Sequence, residues 1–277
     1  MNNHPAYKLF DLSDKVAVVT GGAGVLCAAL SRGLALEGVK VAILDVNRQG
    51  IDHLVSEINL AGGDAIGIEC DVSDTASIKS AAQQVIKEWG RVDLLINGAG
   101  GNSPHATTKA DLPFFDLPDN ALEWVVELNL FGTMLVSQVF GRIMADQQNG
   151  IILNISSMNA FRPLTRIPAY SAAKAAVSNF TQWLAVHMAL EYSPDIRVNA
   201  IAPGFFLTDQ NHYLLINKDN GELTERGQAV ITHTPMKRFG SPDDLLGVVL
   251  WLLSPASSFV TGIVVPIDGG FSAYSGV

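Results

Sequence analysis

Two cysteines in 277 residues, Cys27 and Cys70, are too few for a disulfide framework, and residues 1–9 lack the charged-then-apolar order of a secretory signal. Both point to a reducing, cytoplasmic setting. Positive charge is scarce too: 18 Lys and Arg stand against 27 Asp and Glu, a formal net charge of −9, and the basic residues form no long cluster. A phosphate backbone finds no footprint there, so no nucleic-acid partner is expected. Uninterrupted apolar runs such as 248–253 fall far short of the roughly 18 residues that span a bilayer, so no membrane partner is expected either. The six histidines show no metal-ligand spacing, Cys-x-x-Cys is missing, and Ser156 and Ser157 lack the glycine-flanked elbow of a serine hydrolase. No metal is expected.

What the chain has is alternation. Short Val- and Ile-rich runs at 16–20, 40–45, 65–70, 92–97, 151–156, 196–200 and 263–267 are separated by longer helix-patterned stretches. Runs apolar throughout suit strands covered on both faces. The pattern predicts one α/β domain over 1–277: a doubly wound Rossmann fold with a parallel seven-stranded sheet and helices on both faces. Helix-end signals agree, with Gly38 closing one helix, Asp74 opening another and Pro242 starting the stretch to Leu253. Beyond this rhythm lie an N-terminal extension, 1–14, and two insertions, 101–120 with three prolines and 205–238 with a polar segment at 217–226. Each insertion reads either as a substrate loop or lid, or as surface elaboration.

The first strand runs into Thr20-Gly21-Gly22-Ala23-Gly24 and then a helix, a turn that lets backbone and helix amino end approach a pyrophosphate. Asp45 closes the second strand 24 positions beyond Gly21, where the fold places an acid on the ribose hydroxyls. A 2′-phosphate about 5 Å from that carboxylate meets about 3 kcal/mol of repulsion per unit charge at an effective dielectric near 20. NAD is therefore expected over NADP, unless Arg48 swings inward to offset the repulsion. Asp71 reads either as an acceptor for the adenine amino group or as a turn residue. Asn97-Gly98-Ala99-Gly100 reads either as room for the cofactor or as a tight turn.

Tyr170 and Lys174 are four positions apart, so on a helix they share one face. An ammonium about 4 Å from a phenol lowers its pKa by about three units at an effective dielectric near 20. Such a phenol exchanges protons near neutrality, the acid that reduces a carbonyl and the base that oxidises an alcohol. Ser157, at the end of the fifth strand, is placed to hold the substrate oxygen. Asn129, polar in an apolar helix, is not assigned from the residues alone.

These residues, in this order, resemble the short-chain dehydrogenase/reductase family from Lys15 to the C-terminus. The resemblance implies that Asn129 completes a catalytic tetrad with Ser157, Tyr170 and Lys174. It also implies dinucleotide contacts at Gly21, Ala23, Gly24, Leu26, Asp45, Asp71, Val72, Asn97, Gly98, Ala99, Gly100, Tyr170, Lys174, Pro203, Gly204, Phe206 and Thr208, and a homotetramer, which the apolar tail 271–277 suits. One departure stands out: Val25 and Cys27 occupy positions where the family's loop carries glycine.

Within the family, Gly98 to Asn102, the Ser157-Met158-Asn159-Ala160-Phe161 string and the tail from Asp268 resemble the D-mannonate oxidoreductases, or D-fructuronate reductases. That resemblance implies a small-molecule sugar acid as substrate. Arg162 and Arg166 read either as a carboxylate grip or as solvated surface residues, and Asn102 and Asn159 as readers of sugar hydroxyls or as turn residues. Met158 stands beside Ser157 at the same site. Alternatives are another sugar, polyol or 3-oxoacyl reductase, for instance of gluconate 5-dehydrogenase type, and a dinucleotide sensor without turnover.

Overall fold

The computed structural model describes residues 8–208, 212–218 and 220–276. Its strands are β1 Val16–Thr20, β2 Lys40–Asp45, β3 Asp64–Glu69, β4 Leu94–Asn97, β5 Gly150–Ile155, β6 Ile196–Pro203 and β7 Val264–Ile267. They form one sheet in the order β3-β2-β1-β4-β5-β6-β7, and every pairing is parallel. The expected α/β architecture is therefore present. The ends differ by small amounts. β4 starts later than the apolar run, although ladder hydrogen bonds already begin at Asp93, whose N–H donates to the Val16 carbonyl (2.9 Å) and whose carbonyl accepts the Ile151 N–H (2.8 Å); its buried carboxylate accepts the Val16 N–H (2.9 Å) and pairs with Lys15 and Arg91. β6 runs on to Pro203 because β7 continues beside it, Pro203 facing Ile267. Pro266 is tolerated because β7 is an edge strand.

The helices are α1 Val25–Leu36, α2 Arg48–Leu60, α3 Thr75–Trp89, α4 Asp119–Val126, α5 Gly132–Gln147, α6 Pro168–Glu191, α7 His212–Leu215, α8 Glu225–His233 and α9 Leu246–Leu253. Alternation along β1 divides the core between two faces. Ala17 and Val19 pack with Leu30, Leu34, Val249 and Leu252 of α1 and α9. Val16 and Val18 pack with Ile78, Phe140, Met144 and Leu184 of α3, α5 and α6. The Asp74 side chain caps α3 by accepting the Ala76 N–H, and Gly90 ends that helix in the left-handed region.

α4 and α5 are one continuous helical stretch joined by a π turn, Glu127–Phe131. By length and composition this stretch, 119–147, is long and apolar enough to cross a membrane. Counting uninterrupted apolar runs did not anticipate it. Here its buried residues, among them Val125, Val136, Phe140 and Met144, are packed into the protein core.

Of the N-terminal extension, 1–7 lie outside the described residues, while Leu12 is buried in the first core. Insertion 101–120 contains two 3₁₀ turns, Pro104–Ala106 and Phe114–Asp116. Insertion 205–238 contains α7 and α8, with 209–211 and 219 outside the described residues.

Phe140 is the largest of the fully buried side chains. Phe140→Ala should lower unfolding free energy by about 3–5 kcal/mol. Urea melts check this, and a loss below about 1 kcal/mol would show that α5 does not anchor the second core.

Candidate active site

Strand order reverses beside β1: the chain proceeds to β2 and β3 on one side and to β4 through β7 on the other. A crevice opens at the carboxyl ends of strands where such a reversal occurs. Here a cleft of about 480 Å³ lies there, walled by the β1–α1 turn, Asp45, Asp71, Val72 and Gly98 to Gly101. Gly21 has φ +61°, and a Cβ on it would stand 2.8 Å from the Ala99 backbone, so only glycine fits. Gly24 caps α1 without any side-chain bond, and the first turn carries no acid, which leaves its N–H groups and the positive end of the helix dipole for an anion.

Asp45 holds the loop together: one carboxylate oxygen accepts the Ala23 N–H (3.0 Å) and the other the Asn47 N–H (2.9 Å). Arg48 does not turn inward. It pairs with Asp52 one helical turn on, at 2.9 Å. Asp71 both lines the cleft and serves the turn, accepting from the Ser73 N–H and hydroxyl at 2.8 and 2.6 Å. Cys27, where the family's loop carries glycine, is buried against Gly98, whose missing side chain makes the room. Burial pushes its thiol up to about 12, so it stays protonated.

A second cleft, of about 690 Å³, adjoins the first, and both are lined by Tyr170 and Thr208. Ser157 opens a 3₁₀ turn after β5, and its Oγ accepts the Asn159 N–H at 3.3 Å. Tyr170 and Lys174 lie on the first turns of α6, which Pro168 begins. The Lys174 ammonium is buried, donates to the Ile155 carbonyl at 2.8 Å, and lies 5.6 Å from the Tyr170 ring centre. A Cβ on Gly100 would stand 2.7 Å from Asn129 Oδ1 and 3.1 Å from Lys174 Nζ, so glycine lets those two groups converge. Asn129 lies within the π turn; its amide donates to the Gly101 and Val125 carbonyls (2.7 and 2.8 Å), and its oxygen accepts the Gly101 N–H (3.2 Å). π turns are uncommon and recur at functional sites.

The charges behave differently from the expectation built on the four-residue spacing. Burial raises the Tyr170 phenol above its ordinary value, with the Ser157 hydrogen bond pulling the other way. Burial acts on Lys174 as well, bringing its ammonium down to about 8.

Several expected site residues sit elsewhere. Asn97 turns into the core, donating to Ser137 and Asn154 at 2.9 and 2.8 Å, and the cleft wall beside it is Gly98, Ala99 and Gly100. Pro203 is buried in β6, and Phe206 is buried against Gly240; neither lines either cleft, whereas Gly204 lines the second. Arg162 points out to the Ser272 carbonyl at 3.2 Å, while Arg166, Asn102, Met158 and Asn159 all line the second cleft. Sequence reasoning did not name Thr107, Lys109, Leu215 or Arg226, which line it too. All four fall inside the insertions already set apart by their proline and polar content. The C-terminal segment joins them through Phe271, whose ring meets Phe205 at 5.1 Å and His233 at 4.6 Å; Val277 lies outside the described residues.

Residues 15–219 match the short chain dehydrogenase family. The chain belongs to that family. It is an oxidoreductase of the type that acts on alcohol and keto groups. It is 51% identical to an uncharacterized oxidoreductase, UxuB, of Bacillus subtilis strain 168, over 96% of this chain and 98% of that one. A crystal structure from Haemophilus influenzae, provisionally named a D-mannonate oxidoreductase and holding bound NAD, superposes with a TM-score of 0.90 at 47% identity, covering 96% of this chain and 98% of that one. The 7α-hydroxysteroid dehydrogenase of Escherichia coli K12 is 32% identical over 94% of each chain.

The depressed Lys174 has a consequence for stability. Below pH 8 both folded and unfolded states hold its proton, and the fold bears the full cost of the buried charge. Between pH 8 and about 10 the folded state releases the proton while the unfolded state, near 10.5, retains it, so stability rises. Lys174→Met should therefore gain on the order of 3 kcal/mol relative to wild type at pH 7, with the difference shrinking toward pH 10. Paired urea melts across that range measure this; a pH-independent difference would mean that Lys174 does not titrate there.

Proposed function

We propose that this oxidoreductase catalyses the reversible, NAD-dependent reduction of D-fructuronate to D-mannonate. The observation that carries the reading is the meeting of two clefts at Tyr170, the second lined by Lys109, Arg166 and Arg226 and, among the described residues, by no carboxylate. Lys109 is paired with Asp111 at 3.1 Å, so the two guanidinium groups carry the fit to a substrate with a carboxylate. Arg166 and Arg226 reach the cleft from separate segments, and guanidinium groups bind carboxylates through paired hydrogen bonds. The resemblance to the D-mannonate oxidoreductases and the provisional name of the Haemophilus influenzae structure support the same substrate.

The first cleft suits NAD. The α1 amino end would take the pyrophosphate, Asp45 the adenosine ribose, and Lys174 the nicotinamide ribose, with Asp71 and Val72 beside the adenine. When bound, nicotinamide delivers or takes up the hydride. The chain's own residues handle the proton. In reduction Tyr170 donates its phenolic proton to the oxygen of the reacting carbonyl, and in oxidation it takes that proton back. The Ser157 hydroxyl, whose oxygen accepts the Asn159 N–H and which also hydrogen-bonds Tyr170, turns its proton to the same substrate oxygen when substrate is bound. Lys174, anchored on the Ile155 carbonyl, counters the burial of charge as Tyr170 loses its proton. Asn129 fixes the Gly100–Gly101 backbone beside it and marks the route by which the proton is replenished. Keto acid, NADH and one proton thus give hydroxy acid and NAD⁺. In this reading 101–120 and 205–238 shape the substrate cleft as loop and lid, and the enzyme works in the cytoplasm as a homotetramer.

Because Arg48 is committed to Asp52, it does not offset the Asp45 charge toward a 2′-phosphate. kcat/KM with NADH should exceed that with NADPH at least tenfold, and Asp45→Asn should narrow the gap; equal wild-type values would overturn the preference. NADH oxidation should be faster with D-fructuronate than with the neutral ketose D-fructose, and Tyr170→Phe should abolish turnover while keeping NADH binding. Indifference to the carboxylate would remove the sugar-acid assignment, and a Tyr170→Phe protein of undiminished activity would remove the mechanism.

A further inference from the structure

Three successive residues where β5 ends, Ile155, Ser156 and Ser157, each bond to α6. The Ile155 carbonyl accepts the Lys174 ammonium at 2.8 Å, and Ser157 hydrogen-bonds Tyr170. Between them the Ser156 hydroxyl, buried like Lys174, reaches the Lys174 backbone carbonyl at 3.0 Å. One lysine is thus held at both its ends by two neighbouring residues of one strand end. Sequence reading set Ser156 aside as no hydrolase nucleophile, and the steps assigned to Ser157, Tyr170 and Lys174 leave it unused.

The Lys174 carbonyl lies inside α6, where the helix ladder takes up one of its two lone pairs. The other is shared by two hydroxyls. Ser178 Oγ, one turn on, stands 3.2 Å from that carbonyl and 2.7 Å from Ser156 Oγ. Two hydroxyl protons serve these three contacts, and either serine alone keeps the carbonyl bonded. The two serines are nonetheless unequal. Ser178 belongs to α6, so its bond travels with the helix. Ser156 is fixed to the sheet, its N–H donating to the Ile201 carbonyl of β6 at 2.8 Å. Of the two, only Ser156 ties the Lys174 turn to a strand.

That tie matters because a buried ammonium gains by reaching water, and a four-carbon stem lets it move. The Ile155 bond holds the head of the side chain, but the head follows the backbone if the turn beneath it lifts. We infer that Ser156 is a positioning residue, whose hydroxyl pins the Lys174 turn of α6 to the end of β5 and so fixes the ammonium beside Tyr170. Ser156 lines neither cleft, so it acts through Lys174. Its bearing on the reaction rests on the proposed place of Lys174 at the nicotinamide ribose.

The ionisation of Lys174 reads the tie directly, in full-length protein carrying carbon-13 at lysine Cε, with the Lys174 signal identified by its loss in Lys174→Met. The titratable groups facing that ammonium, Tyr170 on its own helix and Cys27 on α1, are kept in both variants compared. The wild-type midpoint, near 8, should rise in Ser156→Ala by at least about half a pH unit, about threefold in proton affinity, as the freed turn lets the ammonium reach water. Ser178→Ala removes an oxygen from the same triangle but leaves the strand bond, so it should not move the midpoint. An unmoved midpoint in Ser156→Ala, or an equal shift in Ser178→Ala, would overturn the inference. NADH binding carries the same distinction to the proposed site: Ser156→Ala should weaken it at least about threefold, and no further weakening should follow in a Lys174→Met background. A loss that persists undiminished without Lys174 also counts against positioning, since a general loosening of the fold acts whatever stands at 174. A Lys174→Met protein that binds NADH as wild type does would instead remove the ribose role of Lys174, with the tie still decided by the titration.

Discussion

All seven strands point their carboxyl ends the same way, and the constraint that follows is that every β–α turn opens onto one edge of the sheet. The reversal of order beside β1 separates two of those turns and leaves a crevice between them. Glycines at 21 and 98 are needed there because two strand ends and their loops approach within van der Waals limits, and glycine at 100 because the Asn129 and Lys174 side chains converge on it. The chemistry is then imported from a helix that packs beside this edge: α6 brings Tyr170 and Lys174 to the crevice, and β5 brings Ser157. None of those side chains would meet if the strands ran in alternate directions.

Within the crevice, charge is held at a cost. The Lys174 ammonium is buried and donates to the Ile155 carbonyl, and burial loosens its proton. Tyr170 is buried as well, and its proton is held more tightly than in water. Both shifts favour the neutral form: the phenol is raised from its ordinary value and the ammonium is lowered to about 8, so burial disfavours charge on either group. Stability is traded for a proton that can move within the protein.

Much of this was legible in the residues. Strands covered on both faces read as unbroken Val and Ile runs, and six of the seven begin within one residue of where those runs begin. β4 is the exception, beginning later than its run although the Asp93 backbone already bonds both neighbouring strands. Tyr170 and Lys174 were legible from spacing, since helix periodicity is local. Directions were not. Asn97 reads as a cleft residue until the core partners of its amide are known, Arg162 and Arg166 read alike although only one lines the cleft, and Arg226 is brought in by a tertiary path through α8. The sign of the Tyr170 shift also escaped, because spacing reports a neighbour's charge but not the water removed from both.

The π turn at Glu127–Phe131 holds one residue more than an α turn would, so the helical stretch from 119 to 147 has absorbed an extra position without breaking. That surplus residue changes the phase of everything after it. Upstream, Val125 packs with Ala106 and Ala169; downstream, Phe140 and Met144 join the core beneath the sheet, and Asn129 sits between. Removing a single residue from this turn would restore an even ladder and swing the asparagine out of line with Gly101. The irregularity is therefore a phase shifter: it lets one long rod pack into the core along much of its length and hold Asn129 against the Gly101 backbone at one point.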